Sequence, residues 1–214
     1  MKLFIDTANV VDIREAVATG LVYGVTTNPT LVAREGKKFE PTIADIASIV
    51  DGPVSAEVMG DSCDEMVREG IELSSLAPNV VIKVPATWEA LKATKVLRAR
   101  GIRTNVTLVF SPNQALAAAR SGAAFVSPFV GRLDDVGADG MALIREISKI
   151  FELHNIETEI IAASIRQPIQ VCEAAAAGAH IATVPFAVMK KLMEHPLTDI
   201  GIERFKRDWA ASSH

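Results

Sequence analysis

What this 214-residue chain has little of narrows the reading first. Aromatic residues make up only 5 % of it, so Ala, Val, Ile and Leu must fill the core. Its two cysteines, Cys63 and Cys172, lie far apart in stretches that read as helical, and neither has metal-ligand spacing. That usage predicts reduced thiols in a cytoplasmic protein rather than a disulfide. The four histidines, His154, His180, His195 and His214, form no close pair, so no metal site is expected. A net charge of −4 offers no basic footprint for nucleic acid, and there is no polybasic run for an anionic membrane. No apolar stretch reaches the length of a membrane span, and Met1-Lys2-Leu3-Phe4-Ile5 meets Asp6 too soon for a signal peptide. A Gly-x-Gly-x-x-Gly after a strand and a P-loop are both missing, which weighs against nucleotide binding, and no cofactor is expected.

What is present is alternation. Apolar, β-branched runs at Lys2–Asp6, Val22–Thr26, 54–59, Val80–Pro85, 102–110, 124–127, 157–163 and 180–184 read as strands. Helical patterns at 11–19, 41–50, 63–76, 88–100, after Pro112, at 140–152, 168–177 and 186–194 separate and follow them. Pro29 and Pro112 suit first helical turns, Ser111 an N-cap, and Gly101 and Gly178 helix ends. A last helix is expected over about 201–211. Eight βα units without a linker predict one α/β domain over residues 1–214: a parallel barrel ringed by helices, with an additional C-terminal helix. A doubly wound open sheet is the fallback.

One strand carries an anomaly. In Val80-Val81-Ile82-Lys83-Val84-Pro85 a lysine interrupts a run fit for burial on both faces. Lysine is almost never buried unless paired or used, and burial favours the neutral amine that attacks carbonyls. Pro85 ends the strand, so Lys83 stands near its carboxyl end, where α/β folds build sites. The plain alternative is a lysine that snorkels to solvent over an apolar stem.

Other polar residues share that position. With Lys83, the residues Asp6, Asn28, Glu57, Asn105 with Thr107, Ser127, and Ser164 with Arg166 fall at or just beyond the ends of the first seven strands. Singly each has an ordinary reading: Asp6, Ser127 and Ser164 as helix caps, Asn28 as a turn residue, Arg132 as a surface partner of Asp134 or Asp135. Together, in a barrel, they converge on one pocket.

At these residues the chain resembles the short transaldolases, a family that includes the fructose-6-phosphate aldolases. The stretches are Phe4-Ile5-Asp6-Thr7-Ala8-Asn9, Gly24-Val25-Thr26-Thr27-Asn28-Pro29-Thr30, Thr104-Asn105-Val106-Thr107-Leu108, Val126-Ser127-Pro128-Phe129-Val130-Gly131-Arg132 and Ala162-Ala163-Ser164-Ile165-Arg166. The similarity runs from the N-terminus to Trp209. It implies a TIM barrel in which Lys83 forms a Schiff base with a ketose phosphate. Asp6 would take the C4 hydroxyl proton, and Glu57 with Thr107 would hold a proton-shuttling water. Asn28, Asn105 and Ser127 would contact the dihydroxyacetone unit, while Arg132, Ser164 and Arg166 would bind phosphate. Glu57 and Phe129 side with the transaldolase branch, where the aldolase branch carries Gln and Tyr. The implied reaction moves a dihydroxyacetone unit from sedoheptulose 7-phosphate or fructose 6-phosphate to glyceraldehyde 3-phosphate or erythrose 4-phosphate, in the non-oxidative pentose phosphate pathway. Cleavage that releases dihydroxyacetone is the runner-up.

Ala86 and Ala90, in the run Ala86-Thr87-Trp88-Glu89-Ala90, and Tyr23 depart from the family's pattern, which bears on the pocket wall near Lys83 and on acceptor preference. Two readings of other classes stand beside these. A phosphate-binding barrel isomerase would use Ser164 and Arg166 but has no use for Lys83 beside Glu57. A non-catalytic ring-forming barrel would not need the full polar set. The resemblance also implies a homo-oligomer, a pentamer or decamer ring, with the C-terminal helix on a neighbouring subunit. Ile202, Phe205 and Trp209 would give that helix its apolar face, and packing on their own barrel suits the pattern equally.

Overall fold

The computed structural model describes residues 1–212, so His214, one of the histidines weighed above, lies outside them. The first half of the chain runs β1 (Lys2–Asp6), α1 (Val10–Val17), β2 (Val22–Thr26), α2 (Pro29–Arg34), α3 (Phe39–Ile49), β3 (Val54–Glu57), α4 (Cys63–Ser74), β4 (Val80–Pro85) and α5 (Trp88–Ala99). The second runs β5 (Thr104–Val109), α6 (Pro112–Ser121), β6 (Phe125–Pro128), α7 (Val130–Asp135), α8 (Gly140–Leu153), β7 (Glu159–Ala162), α9 (Pro168–Ala176), β8 (Ile181–Val184), α10 (Phe186–Lys191) and α11 (Pro196–Ser212). All eight strands are parallel, each pairs with the next, and β8 closes on β1. This is a (β/α)8 TIM barrel with an additional C-terminal helix, and the open-sheet fallback is set aside.

Local chemistry sets the element ends. Asn9, Asn28, Ser62, Thr87, Ser111 and Asp139 each accept a backbone N–H at a helix start. Strand β3 stops at Glu57, short of Met59, because the N–H groups of Met59 and Gly60 turn to the Glu69 carboxylate. Strand β5 begins at Thr104, later than the pattern suggests, because the Ile102 N–H still bonds the Leu97 carbonyl behind α5. Helix α7, which the sequence pattern does not announce, is a short turn of helix directly after β6.

Side-chain alternation along each strand divides the core in two. On β4, Ile82 joins the large layer between sheet and helices, with Ile13, Ile43, Ile46, Leu97, Ile144 and Ile147. Val81, one residue earlier, joins Phe4, Phe125, Ile161 and Ile181 in a separate cluster inside the barrel. Phe4 and Phe125 meet edge to face there, with ring centroids 6.4 Å apart. Gly24 makes room for that cluster: a Cβ would stand 2.7 Å from the Phe4 ring and 2.6 Å from the Pro53 carbonyl. The interior therefore has an apolar floor.

Helix α11 begins at Pro196, earlier than the sequence suggests, and none of its residues is buried. Phe205 and Trp209 remain exposed, so the reading in which they pack on their own barrel is not what is seen. Among the described residues no helix is long and apolar enough to cross a membrane.

Candidate active site

Lys83 follows Val81 by two positions on β4, so it enters the barrel one layer above the floor. It is only 5 % exposed, which excludes the snorkelling alternative. Its Nζ donates to the Thr27 carbonyl at 3.0 Å and stands 3.0 Å from Glu57 Oε2. Glu57 and Lys83 are register partners on adjacent strands, which is what brings the pair together. Removing one member of such a pair leaves a buried charge uncompensated, at a cost of about 3–5 kcal/mol.

Asn105 is the register partner of Lys83 on the other side. It is fully buried, donating from Nδ2 to Ser55 Oγ at 3.2 Å and accepting at Oδ1 from Ser127 Oγ at 2.8 Å. Ser127 is thus held by Asn105 and is not a helix cap. Two residues on, Thr107 is also buried, and its Oγ1 has no hydrogen-bond partner among the described residues. The strand is irregular at this point, with a register shift between Val106 and Val109 and Leu108 at φ 56°. Such irregularities beside a site re-aim side chains.

Asp6 ends β1 and does not cap α1, a task that falls to Asn9. Thr26 donates to its Oδ1 at 2.7 Å. Burial pushes the Asp6 carboxyl above the usual range; the Thr26 hydrogen bond and the charge of Lys83 pull it back, and Glu57 adds to the rise. Asn28, whose ordinary reading from sequence is a turn residue, caps α2, its Oδ1 accepting from the Leu31 N–H at 2.9 Å. That leaves the Asn28 Nδ2 protons for a ligand contact.

The far wall is cationic. Arg132 lies 5.0 Å from the Phe129 ring centroid, and Phe129 itself packs edge to face on Phe110. Asp135 is occupied by Arg166 at 2.8 Å, and Asp134 by Gln170 and the Gly140 N–H, so neither serves as a partner of Arg132. The Arg166–Asp135 pair is half-exposed and contributes under about 1 kcal/mol, so an incoming anion can compete for the guanidinium. Ser164 adopts φ 61° and brings its carbonyl against Gly131, where a Cβ would lie 2.0 Å from that oxygen. Only glycine fits, and the close approach draws the Arg132 and Arg166 segments together.

These residues enclose a cavity of about 400 Å³, lined by Asp6, Asn28, Lys83, Thr107, Ser127, Phe129, Arg132, Ser164 and Arg166. Of the residues singled out from sequence, Asn105 does not line this cavity but holds Ser127, which does, and Glu57 borders a second one. That second cavity, about 560 Å³ and mostly apolar, lies between α2, α3 and α4 and touches the site only through Glu57. Ala86, Trp88 and Ala90 line neither: Trp88 is exposed and Ala90 is buried in α5, so they do not form the pocket wall. Tyr23 stacks on Phe4, below the floor. Thr26, Arg34 and Thr183 also line the cavity and were not anticipated. Thr26 and Thr183 carry a signal, since each sits at an inward position by alternation; Arg34, on the short helix α2, carries none.

Fold and site together define the class: a barrel enzyme with a buried lysine in a cavity whose wall carries Arg34, Arg132 and Arg166. The chain belongs to the transaldolase/fructose-6-phosphate aldolase family, whose model matches residues 3–214. It is 61 % identical over 209 residues to a probable transaldolase of Pelotomaculum thermopropionicum, covering 98 % of this chain and 97 % of that protein. A probable transaldolase of Clostridium acetobutylicum is 60 % identical with the same coverage. One of Symbiobacterium thermophilum is 61 % identical over 212 residues, covering 99 % and 98 %.

Proposed function

We propose that the protein is a transaldolase working through a Schiff base on Lys83. The observation that carries this is the buried Lys83 amine, held by Glu57 and the Thr27 carbonyl in a cavity that also holds Asp6 and ends in Arg132 and Arg166. The Lys83 amine adds to the ketose carbonyl and loses water, giving a protonated imine. Asp6 takes the C4 hydroxyl proton, the C3–C4 bond breaks, and its electron pair moves into the imine. An aldose phosphate leaves and another arrives, taking the three-carbon unit as Asp6 returns the proton. Thr107 and Glu57 hold the water that relays protons during imine formation and hydrolysis; the unpartnered Thr107 hydroxyl suits that task. Asn28 Nδ2 and Ser127, the latter held in place by Asn105, orient the dihydroxyacetone unit, and Arg132, Ser164 and Arg166 hold phosphate.

Glu57 and Phe129 favour transfer over cleavage: phenylalanine has no hydroxyl with which to protonate and release the fragment. The names of the relatives support the same side. The test is glyceraldehyde 3-phosphate release from fructose 6-phosphate with and without erythrose 4-phosphate. Release that depends on the acceptor supports a transaldolase, and equal release without it makes the protein an aldolase. Phe129→Tyr is expected to raise acceptor-independent cleavage several-fold relative to transfer, and an unchanged ratio removes Phe129 as the branch determinant. The two free thiols suit the cytoplasm. The unburied helix α11, with exposed Leu197, Ile200 and Phe205, suits packing on a neighbouring subunit. Sedimentation of the intact protein tests that assembly.

A further inference from the structure

Asp6 ends the strand that closes the barrel, between β2 and β8. Each neighbour contributes one buried hydroxyl to it. Thr26, the register partner of Asp6 on β2, donates to Oδ1 at 2.7 Å, and Thr183 of β8 meets the Thr26 hydroxyl in turn. Both threonines are 3 % exposed.

Proton counting gives this chain a direction. An ionised carboxylate only accepts, and each hydroxyl has one proton. Thr26 therefore spends its proton on Asp6, and Thr183 must donate to Thr26. One carboxylate oxygen is thereby held, while Oδ2 makes no hydrogen bond among the described residues. The β-branched side chain allows few rotamers, so the hydroxyls stay aimed. We propose that Thr26 is a positioning residue for Asp6, holding Oδ1 so that Oδ2 alone exchanges the proton, and that Thr183 orients Thr26. This rests on the reading of Asp6 as the base.

The groups facing Asp6 are few. Glu57 comes from β3 and Lys83 from β4; Arg34, Arg132 and Arg166 line the same cavity from α2 and from the segments after β6 and β7. Strands β2 and β8 offer hydroxyls and no charge. The Thr26 bond favours the ionised carboxylate, so its loss moves Asp6 protonation to higher pH.

The test compares Thr26→Val, Thr26→Ser and Thr183→Val with the parent. Val keeps the shape and removes the hydroxyl. Thr26→Val is expected to lower kcat by about 10- to 100-fold, the range for a hydrogen bond to a charged group. KM should hold, borohydride trapping should persist, and the acid limb of kcat/KM should move to higher pH. Thr26→Ser should recover most of the loss, and Thr183→Val should show a smaller one in the same direction. A Thr26→Val enzyme with parental kcat and acid limb, or a Thr26→Ser enzyme as damaged as Thr26→Val, overturns the proposal. Infrared titration of the Asp6 carboxyl, assigned with Asp6→Asn, reads the same interaction without turnover. A parent without transfer or cleavage would remove the transaldolase reading, and the role proposed here with it. An active parent with an unchanged Thr26→Val titration removes only this inference.

Discussion

Lys83→Arg is expected to fold like the parent, to form no borohydride-trappable imine, and to lose turnover by at least about a thousandfold, as when a covalent nucleophile is removed. Arginine keeps a positive charge beside Glu57, 3.0 Å away in the parent, so the buried carboxylate is not stranded. Its guanidinium holds its proton at every accessible pH, however, and offers no free amine to a carbonyl. Intact mass after borohydride treatment with fructose 6-phosphate reads the result directly. The parent should gain one reduced sugar adduct and the variant none, with circular dichroism unchanged. Lys83 is the only buried lysine among the described residues. Full trapping in the variant would shift the nucleophile to a surface lysine and end the Schiff-base assignment to β4.

Gly131→Ala should produce the second large effect, on stability and on phosphate affinity together. The new methyl would meet the Ser164 carbonyl at 2.0 Å and Arg166 Cγ at 3.1 Å. The arginine stem can move, but the carbonyl belongs to a residue already at φ 61° and cannot swing away without breaking that turn. Overpacking against backbone costs about 3 kcal/mol, toward the upper end of measured small-to-large changes. For a chain of this length that corresponds to a Tm lower by about 6–12 °C. Relief of the clash separates the Arg132 and Arg166 segments, so KM for a phosphorylated acceptor should rise about tenfold or more, the loss of one charge-assisted contact. Calorimetry with acceptor saturation curves measures both. A variant with parental Tm would mean that the approach of Ser164 to Gly131 is looser than described.

The architecture was legible because its signals are local. Proline after asparagine at 28–29, serine before proline at 111–112, and the lysine inside Val80–Pro85 each carry their meaning within a few residues. The polar strand ends were legible for the same reason, and most of them do line one cavity. Alternation puts Thr183 at an inward position, but its nearness to Asp6 comes from β8 closing on β1, a pairing between chain ends that no local pattern announces. Ser55 was missed because its role is to receive the Asn105 amide from two strands away. Arg34 reads as an ordinary helical surface residue, and only the way α2 lies over the barrel mouth makes it part of the cavity. In the other direction, Ala86, Trp88 and Ala90 are near Lys83 in sequence and yet line no part of the cavity: Ala86 packs against the layer between sheet and helices, and Thr87 starts α5 at once, which buries Ala90 and leaves Trp88 exposed.

The floor formed by Phe4, Val81, Phe125, Ile161 and Ile181 has a kinetic meaning. A vessel closed below opens above, so on the proposed reaction every aldehyde would come and go by one door. In the proposed reaction the leaving and the arriving aldehyde both need the place beside Lys83 and Asp6, so the first would have to go before the second can react. On the proposed Schiff-base reaction the transfer would then follow a ping-pong order, with the lysine-bound fragment waiting in between. Its exposure to water during that wait depends on how quickly the next aldehyde fills the only way in.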